Sequence, residues 1–195
     1  MIAMFRIATI ACILITIACG GSGSEESRTM YREAYRLYET GAYKPARVTV
    51  DRLLAQEPGF TPAHVLLGNL MLHDVQLEAA ESSFRTALAQ ESNHVGALYG
   101  LARVLRQKQD SQGALELIAR AIEIDGGNLK VLHLKGRLHE DLGDLARALA
   151  AYRIGREVGR ENLKLISEEL ARINDEARFP ERAAQHRALA EALGD

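Results

Sequence analysis

The chain has 195 residues, 47% hydrophobic, 26% charged and 5% aromatic, with a formal net charge of −2. That balance excludes a strongly basic, nucleic-acid-binding surface. Both cysteines, Cys12 and Cys19, fall in the first twenty residues, which excludes a disulfide framework or thiolate metal site in the body.

In chain order, residues 1–6 carry one positive charge, Arg6, and residues 7–17 form an apolar run of eleven residues. A hydrocarbon core of roughly 30 Å needs about twenty residues to span. A charged start, a short apolar run and a small residue before a cut read as a secretory signal peptide. The junction Ile15-Thr16-Ile17-Ala18-Cys19 resembles a bacterial lipobox. The resemblance implies cleavage after residue 18 and lipidation of Cys19, with Cys12 as filler inside the apolar run. It also implies a place in the bacterial cell envelope, on the periplasmic face of the outer membrane if the source is Gram-negative. Residues 19–26, the lipidated cysteine followed by Gly20-Gly21-Ser22-Gly23-Ser24-Glu25-Glu26, read as a flexible polar tether.

From residue 27 the sequence is periodic, and abundant Ala and Leu with only 4 Pro and no Trp favour helix over sheet. Ala46, Ala80, Ala114 and Ala148 recur every 34 residues, and Ala34, Gly68, Ala102 and Gly136 form a second small column. Leu37, Met71, Leu105 and His139 form a third, apolar until its last member. Val50, Phe84, Ile118 and Tyr152 are bulky throughout, and Leu53, Ala87, Ala121 and Gly155 complete the register. Apolar residues at helical spacing fill the segments between, as in Leu98, Leu101, Ala102 and Leu105. Small side chains are needed where two helices cross closely, and bulky ones fill the gap to the next pair. Gly41 and Gly143 mark turns between paired helices, and Pro58-Gly59 and Gly126-Gly127 close units. Val75 and Ser92 stand where Gly and Pro are usual, and Gly159-Arg160 closes its unit without Pro.

This pattern resembles the tetratricopeptide repeat, whose period is 34 residues. The resemblance implies an all-α fold, an α-α superhelix of about five helix pairs. Four repeats are expected at 27–60, 61–94, 95–128 and 129–162, with a degenerate fifth pair at 163–195 acting as a polar cap.

The chemistry of catalysis is sparse. No HExxH, phosphate-binding Gly-rich loop, GxSxG or CxxC is present. The six histidines, His64, His73, His94, His133, His139 and His186, include no pair at metal-binding helical spacing. The carboxylate pairs Glu25-Glu26, Glu140-Asp141 and Glu168-Glu169 read as solvated surface. The expectation is a chain with no catalytic residue, no metal and no cofactor.

The resemblance implies instead a concave face lined by the first helix of each pair. On that face it selects Arg28, Tyr31, Tyr35 and Tyr38, then Val65, Asn69 and Leu72, then Tyr99, Arg103 and Arg106, then Lys130, His133, Arg137 and Glu140. The tyrosines, at i, i+4 and i+7, share one helix face. The expected groove is aromatic at its amino-terminal half and basic, through Arg103, Arg106, Lys130 and Arg137, at the other. Its partner would be another envelope protein or a peptide segment carrying apolar and acidic residues, bound by a monomer. The function expected is a membrane-anchored scaffold or adaptor assisting assembly of a pilus, secretion or outer-membrane complex. The alternative is a regulator of an envelope enzyme such as one of cell-wall synthesis or, as a lesser alternative, such an enzyme itself.

Overall fold

The computed structural model describes residues 23–159, 163–176 and 179–192. The expected signal segment, Cys12, Cys19 and Arg160 lie outside the described residues. The helices are α1 (Glu25–Glu39), α2 (Tyr43–Gln56), α3 (Thr61–His73), α4 (Leu77–Gln90), α5 (Val95–Gln107), α6 (Ser111–Ile124), α7 (Leu129–Asp141), α8 (Leu145–Val158), α9 (Leu163–Glu176) and α10 (Pro180–Ala192). They pair in sequence as antiparallel hairpins, with no strand among the described residues. The chain divides into two compact units, one ending at Phe60 and the other beginning at Thr61.

The first unit is the α1–α2 hairpin. Ala34 and Ala46 are fully buried where the helices cross, with Val50 and Leu53 beside them. Residues 23–26, expected in the tether, are held against the hairpin. Glu25 and Glu26 form the first turn of α1, where their charge favours the positive end of the helix dipole. Ser24 caps that turn, its Oγ accepting from the Ser27 N–H at 3.1 Å. The Ser24 N–H donates to Glu57 at 3.3 Å, and Gly23 packs on the Phe60 ring, so closely that a Cβ there would lie 2.4 Å from it. Capping and packing thus tie residues 23–26 to the hairpin.

The second unit holds α3–α10. In two of its hairpins a bulky ring from the second helix lies over a glycine of the first. Phe84 on α4 covers both Gly68 on α3 and Gly100 on α5, and a Cβ at Gly100 would fall 2.2 Å from the ring. Tyr152 on α8 covers Gly136 on α7 with the same 2.2 Å clearance. Leu98, Ile118 and Leu138 fill the core between α5, α6 and α7. Leu170 and Ile173 of α9 close it against Ala148 and Tyr152.

The hairpin turns repeat as well. Gly41, Val75, Gln109 and Gly143 stand 34 residues apart and all have left-handed backbone, with φ of 77°, 58°, 65° and 75°. The turn therefore keeps its shape where glycine is missing, at some cost in strain. Asp110 and Asp144 cap α6 and α8, accepting from the Gly113 and Arg147 N–H groups at 2.9 and 3.0 Å. Asn128 and His94 cap α7 and α5 in the same manner. His139, in the otherwise apolar third column, is buried, and no described residue bonds its Nδ1.

Candidate partner-binding faces

In the first unit, Tyr31, Tyr35 and Tyr38 face one way because α1 repeats every 3.6 residues. Their ring centroids follow at 6.1 and 6.5 Å. The sequence reading missed both ends of this run. Phe60 meets Tyr31 at 5.7 Å, and Tyr43 meets Tyr38 edge-on at 5.6 Å. Five aromatic rings thus form one ladder on the hairpin. Tyr35, at its centre, is 44% exposed. Burial, and secondarily Tyr35, push the Tyr31 hydroxyl above its ordinary pKa. Tyr35 is raised by burial, then by its bond to Glu39 and by the charges of Glu39 and Tyr38. Both rings therefore stay neutral at physiological pH. Arg28 leans toward Glu25 at 3.8 Å on the preceding turn.

In the second unit the first helices α3, α5 and α7 lie side by side. Asn69 and Arg103, one period apart, come into contact: Arg103 Nη1 donates to Asn69 Oδ1 at 3.3 Å. The Arg103 guanidinium also lies 5.7 Å from the Tyr99 ring centroid, within cation–π reach. Val65, one helical turn before Asn69 on α3, is half-buried against the Phe84 cluster. Leu72 does not join it. It is 4% exposed and packs in the core with Phe84 of α4 and Leu101 of α5.

Of the four expected basic residues, Arg106 and Arg137 are neutralised by carboxylates from the next first helix. Arg106 donates to both oxygens of Asp141, at 2.6 and 3.2 Å, a bidentate pair. Arg137 donates to Glu169 at 2.9 Å and lies 3.5 Å from Glu140. Arg172 on α9 bonds Glu169 at 3.1 Å and also bonds Glu140. Glu140 and Glu169, expected on the surface, are 9% and 15% exposed at their side chains. Their side chains are largely covered by the guanidinium groups of Arg137 and Arg172, which close on them from α7 and α9. His133, 3.9 Å from Glu169, together with Arg137 and Arg172 holds the Glu169 carboxyl down to about 2 against the opposing effect of burial. Beneath them Tyr152 is pushed up by burial and then by the charges of Glu140 and Glu169. Lys130, at the start of α7, is exposed.

Among the described residues no three His, Cys, Asp or Glu side chains gather as a metal site. Nor, among them, is any helix long and apolar enough to cross a membrane. What the arrangement offers is an aromatic ladder in one unit and, in the other, a row of arginines with different degrees of neutralisation.

The description "tetratricopeptide repeat" matches residues 129–153. Cellulose synthase operon protein C of Pseudomonas fluorescens is 30% identical in an alignment 139 positions long that covers 67% of this chain and 11% of that protein. The chain thus spans about a tenth of that relative's length. The solved structure of pilF from Pseudomonas aeruginosa superposes with a TM-score of 0.79 at 18% identity, covering 88% of this chain and 78% of that one. YrrB, described as a tetratricopeptide-repeat protein with an unusual peptide-binding site, superposes with a TM-score of 0.61 at 18% identity, covering 84% of each chain. At such identities these structures establish the fold, an all-α stack of tetratricopeptide-type hairpins.

Proposed function

We propose that this chain, which carries a tetratricopeptide repeat and the fold of such proteins, is a lipid-anchored adaptor of the bacterial cell envelope. It holds another protein, or a peptide segment of one, on its first-helix faces and works as a monomer. The observation that carries the binding part is Tyr35, 44% exposed in the middle of a stacked aromatic run. A large ring held at the surface by its neighbours offers contact area with little entropy left to lose. The likeness to YrrB, named for a peptide-binding site, supports the same reading. The anchor rests on Ile15-Thr16-Ile17-Ala18-Cys19. The combination of that junction with a stack of helical hairpins supports assistance to a pilus, secretion or outer-membrane complex.

Two experiments test this. Fractionation should recover the chain with membranes, and Cys19→Ala should release or mislocalise it; a wild-type chain found in the soluble fraction removes the anchor. Crosslinking in cells with mass spectrometry should capture a partner that Tyr35→Ala loses.

A second reading is favoured by the relative from a cellulose synthase operon. In it the same faces hold and regulate an envelope enzyme, such as one that makes a cell-wall or extracellular polymer. Capture of a synthase subunit, with polymer output altered in a deletion strain, selects this reading. An assembly component among the captured proteins selects the first.

A further inference from the structure

Four arginines stand on α5, α7 and α9: Arg103, Arg106, Arg137 and Arg172. Three of them meet carboxylates, Arg106 at Asp141, Arg137 at Glu169, and Arg172 at Glu140 and Glu169. Arg103 differs. Among the described residues its side chain meets the neutral amide oxygen of Asn69 and the ring of Tyr99. It is oriented without being neutralised.

That combination is what an anion receptor requires. A guanidinium already paired to a carboxylate must give up that pair before it can bind another. One held by a neutral acceptor and an aromatic ring keeps its positive charge and has already lost much of its rotamer freedom. Arg103 uses Nη1 on Asn69, leaving Nε and Nη2 as the donor edge that matches two carboxylate oxygens. With its Oδ1 committed to Arg103, Asn69 retains its Nδ2 donors close by. Partial burial lowers the local dielectric and strengthens such a contact relative to a fully solvated one. Val65 and Tyr99, both half-buried, supply apolar surface alongside.

We propose that Arg103, set by Asn69 and Tyr99, is the receptor for a carboxylate of the bound partner, with Val65 and Tyr99 receiving an apolar side chain next to it. The occupant is thus a peptide segment presenting an acid beside an apolar residue. The acid is an Asp or Glu side chain or a free chain terminus. This rests on the adaptor reading and adds the chemistry of its ligand.

The test is an array of short peptides probed with the full chain in detergent. Each peptide is made with Asp/Glu or Asn/Gln inside it, and with a free or an amidated carboxyl terminus. Retained peptides should carry a carboxylate. Its removal should weaken binding by about tenfold, as loss of a charge-assisted bond to a placed guanidinium does. The arm in which the loss occurs tells the side chain from the terminus. On Arg103→Gln the acidic and neutral forms should bind alike, whereas Lys44→Gln, at an exposed lysine on α2, should keep the preference. Tyr99→Phe, which keeps the ring, should also keep it, and Tyr99→Leu should weaken it. Circular dichroism melts establish that each variant is folded. A carboxylate preference that survives Arg103→Gln overturns the proposal, as does binding indifferent to charge; both leave the adaptor reading in place. Failure of the wild-type chain to retain any peptide removes the peptide-binding reading and this proposal with it.

Discussion

Arg137 and Glu169 meet at 2.9 Å across α7 and α9, in a contact where the carboxylate is 15% exposed. The pair joins the last hairpin to the one before it, and around it His133, Arg172 and Glu140 complete a cluster that is charged but balanced.

The pKa of Glu169, near 2 in the fold, lies below the ordinary carboxylate value. Its contribution to stability is therefore full above the unfolded pKa near 4.5 and declines as pH falls toward 2. Glu169→Gln should cost on the order of 2 kcal/mol at pH 7. Urea unfolding should show that loss at pH 7. The difference from wild type should shrink steadily below pH 4.5, the ordinary carboxylate value. A constant difference across that range would mean the effect is steric.

His139 also favours the fold at higher pH, but in a window above that of Glu169. Burial lowers its pKa, with Lys135 and Arg147 acting the same way and Asp144 against them. A depressed base stabilises the fold above its unfolded pKa near 6.5 and ceases to do so as pH falls through the lower folded value. His139→Leu, matching Leu37 and Leu105 at the equivalent positions, should flatten the pH dependence of the thermal midpoint between pH 7 and about 5.

Gly136→Ala should destabilise the chain by about 2 kcal/mol, although alanine is the better helix former by about 1 kcal/mol. The added Cβ would lie 2.2 Å from Tyr152, which is fully buried and has no room to retreat. At this size the thermal midpoint should fall by roughly 4–8 °C. A stabilised variant would show that the ring can move.

Val75→Gly should raise stability by about 1 kcal/mol. Val75 holds a φ of 58° and is 71% exposed, so the change relieves a β-branched residue in left-handed backbone without opening a cavity. The urea midpoint should rise without a change in slope. Gly143→Ala, at the equivalent turn with φ of 75°, should move it the other way.

The fold was legible because its constraints are local and repeat. A residue at a helix crossing must be small in every hairpin, so Ala46, Ala80, Ala114 and Ala148 announce one another. The candidate faces were less so, because their state depends on what the next helix supplies. Arg137 and Glu169 are 32 residues apart, as are Glu140 and Arg172, whereas Asn69 and Arg103 keep the full 34. The slip at α9 brings carboxylate and guanidinium together at a spacing that the sequence columns do not contain. Phe60 was missed for a related reason. It stands beyond the end of α2 and reaches Tyr31 only once the hairpin has closed.

Phe84 lies over a glycine of its own hairpin and over one of the next. Its ring therefore cannot be assigned to either hairpin. Pulling α5 away would strip one side of the ring and leave α4 with an unfilled surface, so the energy of each hairpin is partly stored in its neighbour. Mechanical or chemical opening at one boundary should then propagate along the second unit as a front. A deletion of residues 95–128 would bring Leu134 to the place of Gly100, so the Phe84 ring would meet a bulky side chain where it now lies over a glycine.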